Sequence, residues 1–149
     1  MIRDDIDAAL KAAMKAQDKP RVGALRMVTA ALKNLDIEAR TSGKAPTEDA
    51  VLALLQKLVK QRNESADLYD KGGRPELAAG ERAEISIIEG FLPQQLTEAE
   101  AKAAVAAAIA ATGAASAKDM GKVMAHLKGS HTGRMDFSKA SAMVKTMLG

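Results

Sequence analysis

A chain of 149 residues, 47% hydrophobic and 28% charged, is enough for one domain or two small ones with a modest core. The absence of cysteine excludes a disulfide framework and any thiolate chemistry, and the formal charge of +3 is a weak pointer to a polyanionic partner. The opening Met1-Ile2-Arg3-Asp4-Asp5 lacks the basic and apolar regions of a secretory signal and carries acids early, against a mitochondrial presequence. No apolar run reaches the ~20 residues of a membrane span, so a cytoplasmic protein without membrane contact is expected.

Ile2, Ile6, Leu10 and Met14 recur every four residues and predict a short amphipathic first helix, broken at Lys19-Pro20. A second helix runs from Arg21 to about Arg40 with Leu25, Val28, Leu32, Leu35 and Ala39 on one face. Lys19, Arg26, Lys33 and Arg40 stand seven apart on the opposite side, so they line up as a ridge. That ridge reads as a solvated face with Asp36 as partner, or as a phosphate-facing strip. After the turn 41–46, Thr47 caps a third helix whose first turn holds Glu48 and Asp49. Its apolar stripe of Val51, Leu54, Leu55 and Leu58 extends to Arg62, Ser65 and Tyr69. An arginine on such a seam needs an anion. Glu81, Glu84 and Glu89 are the candidates, and Arg62 with Glu84 is taken as a structural ion pair.

The next element is an elbow. Gly72 and Gly73 can both take the positive φ that ends a helix, and Pro75 suits the first turn of the next. Residues 76–92 then form a fourth helix, stopped at Pro93. Thr97 and Glu100 make a capping box for a helix over 98–112. Ser116 caps a helix over 117–128, the segment 129–136 is a loop, and a last helix covers roughly 138–148. No stretch alternates as a strand does. The expected fold is all-α, with a four-helix unit over 1–93, a linker at Pro93–Leu96 and a three-helix unit over 97–149.

Catalytic parts are hard to find. His126 and His131 straddle a glycine without nearby carboxylates, so no metal site is expected. No phosphate-binding or dinucleotide fingerprint and no nucleophile elbow is present, and no cofactor is expected. Residues 1–96 hold 15 Lys/Arg and 15 Asp/Glu, whereas residues 97–149 hold 7 against 4, so the whole positive excess falls in the second part. One Tyr and two Phe leave little to stack bases on, which favours a folded RNA read through backbone and shape.

The run KQRNESADLYDKGGRPELAAGERAEISIIEGFLPQQLTEAE, followed by ASAKDMGKVMAHLKG and preceded by LRMVTAALKN at 25–34, resembles the GatB/YqeY family. These are small all-helical proteins related to the tail domain of the tRNA-dependent amidotransferase B subunit. The resemblance covers nearly the whole chain. It implies an accessory role, since the related tail contacts tRNA while other domains do the chemistry. The label of carbon–nitrogen ligase with glutamine as amido-N-donor then belongs to the larger enzyme. The matching block carries Lys118, Lys122 and Lys128, with Arg134 in the following loop, as nucleic-acid-binding residues. The chain departs from the family pattern at Gly133-Arg134-Met135-Asp136. An amidotransferase or another protein is an implied partner, and a helical protein-interaction adaptor is the alternative reading.

Overall fold

The computed structural model describes residues 1–149 and is built from seven α-helices with no strand. They are α1 (Ile2–Lys15), α2 (Lys19–Ser42), α3 (Glu48–Lys71), α4 (Pro75–Glu89), α5 (Glu98–Thr112), α6 (Met120–His131) and α7 (Phe137–Leu148), with a single 3-10 turn at Ala117–Asp119. The chain divides into two compact units, Met1–Pro93 and Gln94–Gly149.

In the first unit, side-chain oxygens at both well-capped helix starts satisfy backbone donors that have no intrahelical partner. Asp18 accepts from the Arg21 N–H ahead of α2, and Thr47 accepts from the Ala50 N–H ahead of α3. Pro20 is therefore not a break but part of the first turn of α2, where its missing N–H costs nothing. At the elbow only Gly73 takes a left-handed conformation (φ 73°). Gly72 has φ −84°, which any residue adopts, but a Cβ there would stand 3.3 Å from the Leu68 carbonyl oxygen. α4 ends at Glu89, three residues before the expected end, because the 3-10-like bonds from Phe91 N–H to Ile88 and from Leu92 N–H to Glu89 tighten the chain out of the α-helical pattern there. Ile6, Leu25, Val28, Val51, Leu55 and Ile88 close the core of this unit.

The second unit packs α5, α6 and α7 around Val105, Val123, Leu127 and Val144, all fully buried. The capping box of Thr97 and Glu100 is complete: the Thr97 hydroxyl accepts from the Glu100 N–H and the Glu100 carboxylate from the Thr97 N–H, both at 3.1 Å. Gly113 ends α5 in the left-handed region. α6 departs from expectation at both ends. It starts at Met120, after the 3-10 turn, and continues through Gly129 to His131. The glycine is exposed on an open face and does not stop the helix.

Residues 94–96 are not a bare linker. The Gln95 side-chain amide donates to the Gly133 carbonyl at 2.6 Å, the Leu96 N–H donates to the Arg134 carbonyl at 2.9 Å, and Arg134 Nε donates to the Gln94 carbonyl at 3.1 Å. The segment is clasped onto the loop between α6 and α7.

Candidate nucleic-acid interface

The outer side of the 3-10 turn and α6 is built by exclusion. Val123 and Leu127 face the core, which sends Lys122 and Lys128 outward, with Lys118 exposed on the turn before them. None of the three lysines has a carboxylate within ion-pair distance. On a helical projection Lys118 and Lys122 stand about 40° apart, and Lys128 lies about 80° to their other side. The three therefore share the exposed half of the segment rather than one narrow line.

Asp119 modifies this surface. Its carboxylate accepts from the Ala115 and Ser116 N–H groups, and these bonds hold it below the usual carboxylate range, with Lys122 a smaller contribution. The carboxylate thus takes up the two N–H groups just ahead of the turn and sets a negative charge beside Lys118.

Arg134 has a different position. Its Nε is committed to the Gln94 carbonyl, and its own carbonyl receives the Leu96 N–H, so it belongs to the clasp. It also lines a groove of about 380 Å3 floored by Leu96, Ala140 and Met143. The charges there balance, Arg134 and Lys139 against Glu98 and Asp136. The structure does not bring Arg134 into line with the lysines.

In the first unit the Arg62 side chain is buried, and its Nε donates to Glu84 Oε2 at 2.9 Å. Nη1 donates to the Leu58 carbonyl at 3.2 Å, and Nη2 points to the Met27 sulfur at 3.8 Å. Glu81, Glu84 and Glu89 all lie on α4, and only Glu84 meets the guanidinium. Lys19, Arg26, Lys33 and Arg40 are exposed along α2, but Asp36 is not their partner. It pairs with Arg3 of α1, Nη2 to Oδ1 at 2.6 Å. That long-range pair and the clasp had no local signal in the sequence.

No three His, Cys, Asp or Glu side chains come together as metal ligands. The His131 Nδ1 is buried without a hydrogen-bond partner at the end of α6. No helix is long and apolar enough to cross a membrane.

The architecture is that of an all-helical protein with exposed cations on α2, on the 3-10 turn and on α6. The chain belongs to the YqeY family: the model for the Yqey-like protein family matches residues 3–148. This family is related to the tail domain of the amidotransferase B subunit. The chain is also similar to the proteins named "Altered inheritance of mitochondria protein 41, mitochondrial" of three fungi. The identity is 37% over 93 residues for Lachancea thermotolerans, covering 62% of this chain and 49% of that protein. It is 26% over 129 residues for Pyrenophora tritici-repentis, covering 83% and 70%. It is 33% over 85 residues for Saccharomyces cerevisiae strain YJM789, covering 57% and 45%. The chain thus spans about half the length of the first and third. These relatives are named as mitochondrial proteins, which overturns the expectation of a cytoplasmic protein. That expectation rested on the first few residues and on the lack of an apolar run, features that carry little information about compartment.

Proposed function

We propose that the chain is a non-catalytic accessory module that binds structured RNA, with tRNA as the candidate, in amidotransferase-linked systems. The observation that supports this most is the exposed trio Lys118, Lys122 and Lys128, free of carboxylate partners in the part of the chain that carries all the net charge. Point charges on flexible stems suit phosphate contacts that fix position without reading bases. In this reading 1–93 and 97–149 act as separate helical domains of four and three helices, and the RNA surface belongs to the second. Arg134 supports the surface by holding its loop in place.

Mobility shift with total tRNA across a salt series tests the reading. Each neutralised phosphate adds to the salt slope, so Lys118→Ala/Lys122→Ala is expected to flatten it by about one to two units. Arg26→Ala/Lys33→Ala, measured in parallel, is expected to leave the slope near wild type. Failure of the wild type to retain tRNA at low salt, or loss of binding only in the α2 variant, overturns the proposal.

A further inference from the structure

Gly23, Met27, Ala30, Asn34, Ile37 and Thr41 follow one another at spacings of four and three along α2, and of these only Met27 and Ile37 are large and apolar. At 100° per residue they fall within a strip about 80° wide. All six are exposed. Met27 and Ile37 are 51% and 49% exposed, large side chains that the first unit's core does not use. A Cβ built on Gly23 would meet nothing within 4 Å.

Lys19, Arg26, Lys33 and Arg40 run along one edge of this strip, exposed and without a carboxylate in reach. Asp36, the acid closest to them in sequence, is held by Arg3. The other edge offers only the exposed Glu38. From Lys19 to Arg40 the row is about 31 Å long.

The alternation of four and three is the spacing at which one helix seats against another. Small side chains at Gly23 and Ala30 let a second backbone approach, and Met27 and Ile37 supply knobs. Met27 is tethered as well, because Nη2 of the buried Arg62 points at its sulfur at 3.8 Å. A methionine held in this way loses less side-chain freedom on docking than a free one.

We propose that the outer face of α2 docks an amphipathic helix of a partner protein, one with an apolar seam and a row of Asp or Glu along the edge that meets Lys19, Arg26, Lys33 and Arg40. Charge selects this occupant. A second copy of the chain brings four more cations and only Glu38 to answer them. RNA answers the cations but leaves Met27 and Ile37 in water. The surface belongs to the first unit, whereas Lys118, Lys122 and Lys128 belong to the second.

The test uses the full chain and two synthetic helical peptides of about 24 residues, long enough to span the row. Both carry leucine at the seam positions; one carries glutamate along one edge and the other lysine at the same places. The acidic peptide is expected to bind at least about tenfold more tightly, as complementary rows of charge require. Ile37→Lys is the decisive variant, since it adds a cation while spoiling the seam. Docking predicts roughly tenfold weaker binding of the acidic peptide, whereas pure charge attraction predicts stronger binding. Arg26→Glu/Lys33→Glu, which brings the row to zero net charge, is expected to abolish the preference between the peptides. Melting curves of each variant check that the fold is kept. Equal binding of the two peptides, stronger binding by Ile37→Lys, competition by total tRNA for the same variants, or a dimer in sedimentation that Ile37→Lys dissolves would each overturn the proposal.

Discussion

Arg62 Nε and Glu84 Oε2 stand 2.9 Å apart across the elbow that joins α3 to α4, with the arginine side chain only 8% exposed and the glutamate 32%. The pair ties the two longest-range partners of the elbow through a charge-assisted bond, and the Leu58 carbonyl takes a second guanidinium N–H. Removing one partner leaves the other charge poorly solvated. Arg62→Met is expected to destabilise the protein by about 1–3 kcal/mol. Glu84→Gln should cost less, since its amide oxygen still accepts from Nε. Denaturant unfolding of both variants checks the order, and a wild-type midpoint for Arg62→Met would refute it.

The capping box at α5 predicts a second stability effect. Thr97→Ala removes the acceptor of the Glu100 N–H and is expected to cost about 1 kcal/mol. The readout is a lower melting temperature with an unchanged helical signal at low temperature. Thr97→Asn, which restores an acceptor, should recover most of the loss.

Acid should weaken the fold through the same cap. The Thr97 backbone N–H, and then its hydroxyl, hold Glu100 below the usual carboxylate range, as the Ala115 and Ser116 N–H groups hold Asp119. A carboxylate depressed in the folded state contributes stability that is complete above its unfolded value, about 4, and is lost as pH falls through the folded one. Stability is therefore expected to be level from pH 7 to about 5 and to decline below about 4. Glu100→Gln should make that decline shallower in a series of melting curves against pH.

Protease should find the loop between α2 and α3 before it finds the segment after Pro93. Gly43, Lys44 and Ala45 are exposed and make no long-range hydrogen bond, whereas Gln94, Gln95 and Leu96 are clasped to the loop at 133–134. Limited trypsin digestion should cut first after Lys44. An initial cut between Phe91 and Thr97, by a protease able to cleave there, would show that the clasp opens readily.

What the residues disclosed in advance was local. Thr47, Thr97 and Gly113 announce helix ends because each acts on backbone groups within a few positions, and the apolar periodicities place Leu25, Val28, Leu55 and Val105 in their cores. The overrun of α6 was missed because Gly129 reads as a breaker, yet a single exposed glycine costs a helix only ~1 kcal/mol, which packing by Leu127 and its neighbours outweighs. Periodicity marks Arg62 as inward-facing but leaves three glutamates as candidates, and only the rotation of α4 selects Glu84. Asp36 finds Arg3 at a distance of 33 residues, and the clasp uses backbone carbonyls, which every residue possesses. Neither leaves a trace in residue type. At the lysines, exposure follows from the pattern, and the three-residue spacing of Ser116 and Asp119 already marks the capping box found there; only the 3-10 start is not distinguished by spacing from an α-helical one.

The clasp also sets a timetable for biosynthesis. Gln95 and the carbonyl it grips at Gly133 are 38 residues apart, and Gln94 and Arg134 are 40 apart. At the usual ribosomal rate the growing chain exposes the first half of this fastening about 2–8 s before the second. During that interval the first unit is already complete in sequence, while the start of the second unit is still untied. Translation thus separates the two halves of the fastening in time, and closing the clasp marks the moment at which α5, already made, gains the loop that holds its entrance.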